Sequence, residues 1–173
     1  MPTSDNGVNY GCLFCRTGGE KSVAEELMQR EPEVKVIAPV KERIRRNRGG
    51  STKEQVLLFP GYVFFAADEA FNAYTMKRND DVYRLLLTGE EDWRLMGEDR
   101  RLVASFFENE GVIGLSKAYY EGDRIRIADG YLKNYEGKIV RVNRRNQTAQ
   151  IRMDFSGRQI ELWLGFELID KTE

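Results

Sequence analysis

Cys12 and Cys15 are the residues whose type and spacing most directly suggest covalent chemistry, as a redox pair or half of a zinc site. Their surroundings argue against both. The pair lies inside the apolar run Cys12-Leu13-Phe14-Cys15, which reads as a strand, and residues three apart in a strand point to opposite faces. A thioredoxin-type pair sits instead where a strand passes into a helix. Zinc needs further soft ligands, and the 173-residue chain has two cysteines and no histidine. The same lack excludes Ser-His-Asp and Cys-His sites. The cysteines are therefore expected to pack as small hydrophobes, with a thiol oxidoreductase as the outside alternative. No enzyme activity, cofactor or metal is expected.

Composition bounds the remaining classes. With 27 basic against 28 acidic residues, 32% charged and 41% hydrophobic, the chain has the balance of folded domains, and its length suits one domain or two small ones. No apolar run of about 18 residues is present, and residues 1–9 lack a secretory pattern. A cytoplasmic protein that does not engage membranes is expected.

Several elements must position whatever chemistry there is. Residues 10–15 read as a strand, and Thr17-Gly18-Gly19 breaks it before a helix over 20–29 with Val23, Leu27 and Met28 on one face. A second strand covers 34–38. The basic, apolar-poor stretch 41–53, with Lys41, Arg43, Arg45, Arg46 and Arg48, reads as an exposed loop or hairpin tip. It is either a solvated loop or a contact for upstream nucleic acid. Residues 56–67 form the most hydrophobic segment, a central strand entered through a Pro60-Gly61 bend. Asp68 is placed to cap a helix through Ala70, Phe71, Tyr74 and Thr75. A strand over 82–87 and a helix over 97–107 follow. This order predicts an α+β fold whose first half is a ferredoxin-like split βαβ sheet with helices on one face.

The second half differs in kind. Ile125 and Ile127 alternate with Arg124 and Arg126, and short strands at 138–143, 149–155 and 160–164 suggest a small β-barrel. Residues 1–121 carry 17 basic and 20 acidic side chains, whereas 122–173 carry ten and eight. Between 122 and 158 nine basic residues face four acidic ones, so one side of the barrel is expected to be basic, or else charge merely keeps it soluble.

These residues carry a resemblance. Residues 122–130, Gly-Asp-Arg-Ile-Arg-Ile-Ala-Asp-Gly, and 134–140, Asn-Tyr-Glu-Gly-Lys-Ile-Val, resemble the KOW motif of NusG-type factors. Residues 10–20 are similar to the opening strand and glycine turn of the NusG N-terminal (NGN) domain, and Phe59-Pro60-Gly61-Tyr62-Val63-Phe64 resembles its most recognisable motif. The resemblance implies an NGN domain over 8–108, a linker over 109–120, and an SH3-like KOW barrel over 121–173.

What it implies about function is a monomeric transcription factor that grips RNA polymerase. Tyr10, Phe59, Pro60, Tyr62 and Phe64 fall on the positions that line the family's pocket for the clamp helices of the largest polymerase subunit; the bland alternative is that some are core. Arg78 and Asn79 stand where the family touches the non-template DNA strand, or else form a solvated helix end. Between 129 and 135, Tyr131 and Lys133 replace residues with which housekeeping members meet ribosomal protein S10 or Rho. A ring and a cation there suit unpaired bases and phosphate. Arg124, Arg126, Tyr131, Lys133, Lys138, Arg144 and Arg145 are the candidate contacts to nascent RNA, expected as a hairpin. The resemblance thus points to a specialised LoaP-like antitermination paralogue. The strand-like alternation of the second half lacks the helical period of an RfaH-like fold switch. The alternative is a housekeeping elongation factor contacting S10 or Rho.

Overall fold

The computed structural model describes residues 7–170; residues 1–6 of the polar N-terminus and 171–173 of the expected second domain lie outside it. In chain order the elements begin with β1 (Val8–Cys15), α1 (Glu20–Arg30), β2 (Lys35–Ile37), β3 (Val40–Asn47), β4 (Gly50–Leu57) and β5 (Tyr62–Asp68). A short 3₁₀ helix (Ala73–Arg78), β6 (Val82–Leu85), α2 (Gly97–Glu108), β7 (Val112–Ile113) and β8 (Ser116–Glu121) follow. β9 (Arg124–Asp129), a second 3₁₀ stretch (Tyr131–Lys138), β10 (Ile139–Asn143), β11 (Thr148–Phe155) and β12 (Arg158–Leu168) complete the chain. It divides into two compact units, residues 1–39 with 59–111 and residues 40–58 with 112–173.

In the first unit an antiparallel sheet runs β2-β5-β1-β6. Alternation sorts its side chains. Leu13, Cys15, Val63, Phe65 and Ala67 face a core closed by Val23, Ala24 and Leu27 of α1 and by Ala73 and Met76 of the 3₁₀ helix. Tyr10, Cys12, Phe14, Tyr62 and Phe64 therefore belong to the other face, where Phe106 and Phe107 of α2 pack. Met28, expected on the buried face of α1, is exposed.

The helix expected after Asp68 is not where the sequence suggested. Asp68 ends β5, paired with Val8, and its Oδ1 accepts from the Ala70 amide at 2.9 Å. The helical turn starts later, where Asn72 Oδ1 accepts from the Tyr74 amide at 3.2 Å, and it is a six-residue 3₁₀ helix. A second capping residue so close downstream leaves Asp68 to the strand.

The second unit has a five-stranded sheet in the order β10-β11-β12-β8-β9 and a three-stranded one in the order β4-β3-β7. The two-residue β7 and all but the last residue of β8 fall in the stretch 109–120 expected as a linker. The basic stretch expected as a loop or hairpin tip is a hairpin paired from Val40↔Leu57 to Asn47↔Gly50, and it clusters with the second unit rather than the first. Most of its residues are exposed, so no apolar alternation marks these strands.

Both cysteines are free and buried. Cys15 belongs to the α1-side core whereas Cys12, paired with Phe64 in register, faces the other side. Burial pushes both thiols up, Cys15 to about 11 with help from Glu20 and Asp81, and Cys12 further still. Thiolate, the reactive form, is thus scarce at neutral pH.

The bend before β5 is fixed by its own chemistry. The Tyr62 amide donates to the Phe59 carbonyl at 3.1 Å, Pro60 holds the first central position, and Gly61 has φ +86 at the second. This is a type II turn, which needs glycine there. Glu20, 1% exposed at the start of α1, reaches across: its Oε1 accepts from the Gly18 amide and its Oε2 from the Gly61 amide at 3.0 Å. Burial opposes its charge, but the amides of Gly61, Glu20 itself and Gly18 outweigh it and hold the carboxyl below its ordinary value.

Two outcomes follow from this packing. Neither thiol should react with a thiol-disulfide reagent at pH 7 in the folded protein, and both should react in denaturant; rapid reaction of the native chain would contradict the burial. Glu20→Ala should cost about 2–3 kcal/mol in urea unfolding at pH 7, because two amides lose a charged acceptor. Since the folded carboxyl titrates below the unfolded one, that advantage is present above about pH 4 and lost as pH falls through the folded value. The deficit of the variant should shrink accordingly at pH 3.

Candidate functional site

Around the bend, the face opposite α1 carries a connected set of rings. Phe14 and Tyr62 are directly opposite in the β1–β5 register, with centroids 4.8 Å apart. Phe59 joins Tyr62 at 5.7 Å and Phe64 at 5.7 Å, and Tyr62 stacks on Phe64 at 6.5 Å. From α2, Phe106 closes on Phe64 at 5.4 Å and on Phe59 at 5.8 Å. Such tilted and edge-on pairs match the charge distribution of the rings and add to their buried area.

Exposure divides the set. Phe64 is 0% exposed and Phe59 7%, so both are floor, held by α2 and unavailable to a partner without rearrangement. Tyr62 and Phe14 are half-buried and Pro60 is exposed, so these form the accessible rim. Tyr10 is half-buried but sits apart, between Phe107 at 5.3 Å and the Arg100 guanidinium at 5.2 Å. Phe14 was missed in the sequence reading, although its alternation with Tyr10 and Cys12 places it on their face. Arg84, opposite Phe14 on β6, lays its guanidinium 4.4 Å from the Phe14 centroid. The result is a row of Tyr62, Phe14 and Arg84 across three adjacent strands. Its chemistry is that of an apolar patch bounded by a cation, suited to an amphipathic helix carrying acidic residues.

Arg78 and Asn79 part company. Arg78 is exposed at the end of the 3₁₀ helix. Asn79 is 6% exposed, its Nδ2 donates to Glu26 Oε2 at 2.8 Å, and its Oδ1 accepts from the Asp81 amide at 2.8 Å. Both ends of its amide are engaged in the fold, so the expectation of an Asn79 contact to DNA conflicts with its position: it braces the approach to β6.

In the second unit, Arg124 and Arg126 of β9 line a groove with Gly137, Ile139, Val140 and Arg141. Arg124 is exposed, whereas Arg126 is half-buried and pairs with Glu121 at 3.4 Å and Glu136 at 4.0 Å. Tyr131 stacks on Tyr135 at 5.2 Å, and Lys133 Nζ donates to the Ile127 carbonyl at 2.9 Å. Lys138 is exposed at the end of the same 3₁₀ stretch. Arg144 lies 4.1 Å from the Tyr120 ring and 3.9 Å from Asp123. Its neighbour Arg145 does not share that site but lines a different groove with cations of β3. The seven sequence candidates thus lie at several places on the unit. Among the described residues no group of three or more potential ligands could hold a metal, and no helix is long and apolar enough to cross a membrane.

Comparison with known proteins agrees with this architecture. The family model described as "Transcription termination factor nusG" matches residues 9–102, more than half of the chain. Two curated relatives, the "Transcription termination/antitermination protein NusG" of Xylella fastidiosa strains 9a5c and Temecula1, are each 22% identical, covering 90% of this chain and 95% of their own. A solved structure, "Domain interaction in Thermotoga maritima NusG", has a TM-score of 0.50 at 19% identity, covering 91% of this chain and 93% of that one. Its likeness is one of fold. Proteins of this family are transcription factors, not enzymes, which leaves the buried cysteines as core. On the match of residues 9–102, which takes in Tyr10, Phe14, Phe59, Tyr62 and Phe64 and the Pro60-Gly61 bend, the chain belongs to the NusG family.

Proposed function

We propose that this chain is an antitermination factor of the specialised, LoaP-like kind, whose first unit grips the clamp helices of the largest RNA polymerase subunit while its second unit holds nascent RNA. The carrying observation is the rim of Tyr62, Phe14 and Pro60 over a floor of Phe59 and Phe64. Rings with few rotatable bonds, already fixed by neighbours, lose little entropy when a helix docks on them. The antiparallel order β2-β5-β1-β6 supports reading this unit as a ferredoxin-like NGN domain. The five-stranded sheet of the second supports a KOW-type, SH3-like barrel.

For the RNA contact we assign Arg124, Lys133, Lys138 and Arg144, exposed cations close to the Tyr131–Tyr135 stack in sequence. Arg126 is largely answered by its two glutamates and serves the fold first. Arg78 is the candidate for the non-template DNA strand. The chain acts as a monomer in this reading, with two weak contacts on linked units reinforcing one another through effective concentration. The relatives named for both termination and antitermination support the general role; a lysine and a tyrosine at 133 and 131 favour RNA over S10 or Rho.

Tyr62→Ala and Phe14→Ala should each weaken binding to polymerase core at least tenfold, about 1.4 kcal/mol or more, in surface-plasmon or anisotropy titrations, with melting curves checking the fold. Affinity unchanged in both variants would refute the docking surface. Lys133→Ala with Arg144→Ala should weaken binding to the transcribed leader hairpin by about 1–3 kcal/mol if one of them reads a base, and less if both meet phosphate. Gel shifts unaltered by the double change would remove RNA from the proposal.

A further inference from the structure

We infer that the second unit carries another nucleic-acid site, the groove between the β3–β4 hairpin and the β10–β11 turn, shaped for a single-stranded segment. The groove is lined by Lys41, Arg43, Arg45 and Arg46 of β3 and by Arg145, against Glu54 as its one carboxylate. Glu54 is shared between Arg43 and Arg45, so it cannot neutralise both. Lys41 Nζ donates to the Trp163 carbonyl, and Arg46 donates to Gln147 Oε1 at 3.2 Å. These acceptors are neutral: they orient the cations and leave their charge unanswered. Arg145 has no acidic partner among the described residues. Burial, and then Arg43, lowers the lysine's affinity for its proton, a cost that a bound anion would relieve.

The groove is built rather than accidental. At Gly165 of β12 an added Cβ would lie 2.7 Å from the Glu42 carbonyl and 2.6 Å from Leu115, so the absence of a side chain lets the hairpin backbone sit directly on the sheet. That contact fixes β3, and with it the spacing of its cations. Lys41, Arg43 and Arg45 share one face of β3 and span about 13 Å, a row that fits successive phosphates of one strand better than a single compact anion, with Arg46 and Arg145 beside it. Trp163 is half-buried in the wall, and together with the guanidinium planes it offers stacking surfaces for bases, which an acidic peptide would not use. The site shares no residue with the groove around Arg124 and Arg126. It goes beyond the RNA contact proposed above, and rests with it on the second unit being a nucleic-acid binder.

The test uses the full chain and a fluorescein-labelled 20-nucleotide single strand, as RNA and as DNA of the same sequence, in anisotropy titrations over a range of salt. The triple variant Arg45→Ala, Arg46→Ala, Arg145→Ala should bind the RNA at least tenfold more weakly. Its log-affinity against log-salt slope should be shallower by about 2, from roughly 0.7 per lost phosphate contact. The three side chains are exposed, so the melting curve should not move. Loss on RNA and DNA alike identifies backbone recognition, and loss on RNA alone identifies a 2′-hydroxyl contact; both support the site. Affinity and slope unchanged would overturn it, as would polyglutamate of similar length displacing the RNA at equal charge concentration. The variant Arg124→Ala, Lys133→Ala, Arg144→Ala, titrated in parallel against the leader hairpin, separates the two ideas. If it alone loses affinity, the groove is wrong and the earlier contact stands; if the groove variant alone loses affinity, the reverse holds.

Discussion

The aromatic face depends on one turn. Pro60 and Gly61 reverse the chain so that Tyr62 enters β5 opposite Phe14, and Glu20 ties the Gly61 amide to the start of α1. A buried carboxylate with no cationic partner would be costly, and here backbone amides supply what a counter-ion otherwise would. The Cys15 amide also donates to the Gly61 carbonyl at 2.9 Å, so the bend is held on both sides of its glycine. Phe14, Tyr62 and Phe64 therefore sit on paired strands, and Phe59 and Pro60 in a turn held by backbone hydrogen bonds, which is what a low-entropy docking surface requires.

Much of this was legible in the sequence, and the parts that were not have physical reasons. The unbroken apolar run at residues 62–67 is strong because β5 is buried on both faces, and the period of α1 is strong because that helix buries one face. The type II turn is written in its own residues. Phe64 was expected as part of an open pocket, but the face it shares with Tyr62 is covered by Phe106 of α2, a long-range contact that no local pattern reveals. Phe14 belongs to a run of otherwise buried apolar residues, and its place in the rim depends on pairing with Tyr62 and Arg84 across neighbouring strands, contacts that no local pattern reveals. The β3–β4 hairpin has too few buried side chains to produce an apolar alternation, and β8 is short, with small buried residues Ser116 and Ala118. Asn79 illustrates the same limit in reverse: an amide side chain after a helix looks available until its two hydrogen bonds are seen.

The two units divide the labour proposed for the chain along lines of surface chemistry. The first presents rings and one guanidinium, a combination that recognises a helix by shape and edge charge. The second presents cations held by neutral or shared acceptors, a combination that recognises phosphate.

The most direct test of the central claim is site-specific photocrosslinking. With p-benzoylphenylalanine in place of Tyr62, irradiation of the complex with RNA polymerase core should yield one major adduct, mapping by mass spectrometry to the clamp-helix tip of the largest subunit. The same probe in place of Tyr83, an exposed residue of β6, should give little. Adducts from position 62 that scatter over the polymerase, or none above the level of position 83, would contradict the account.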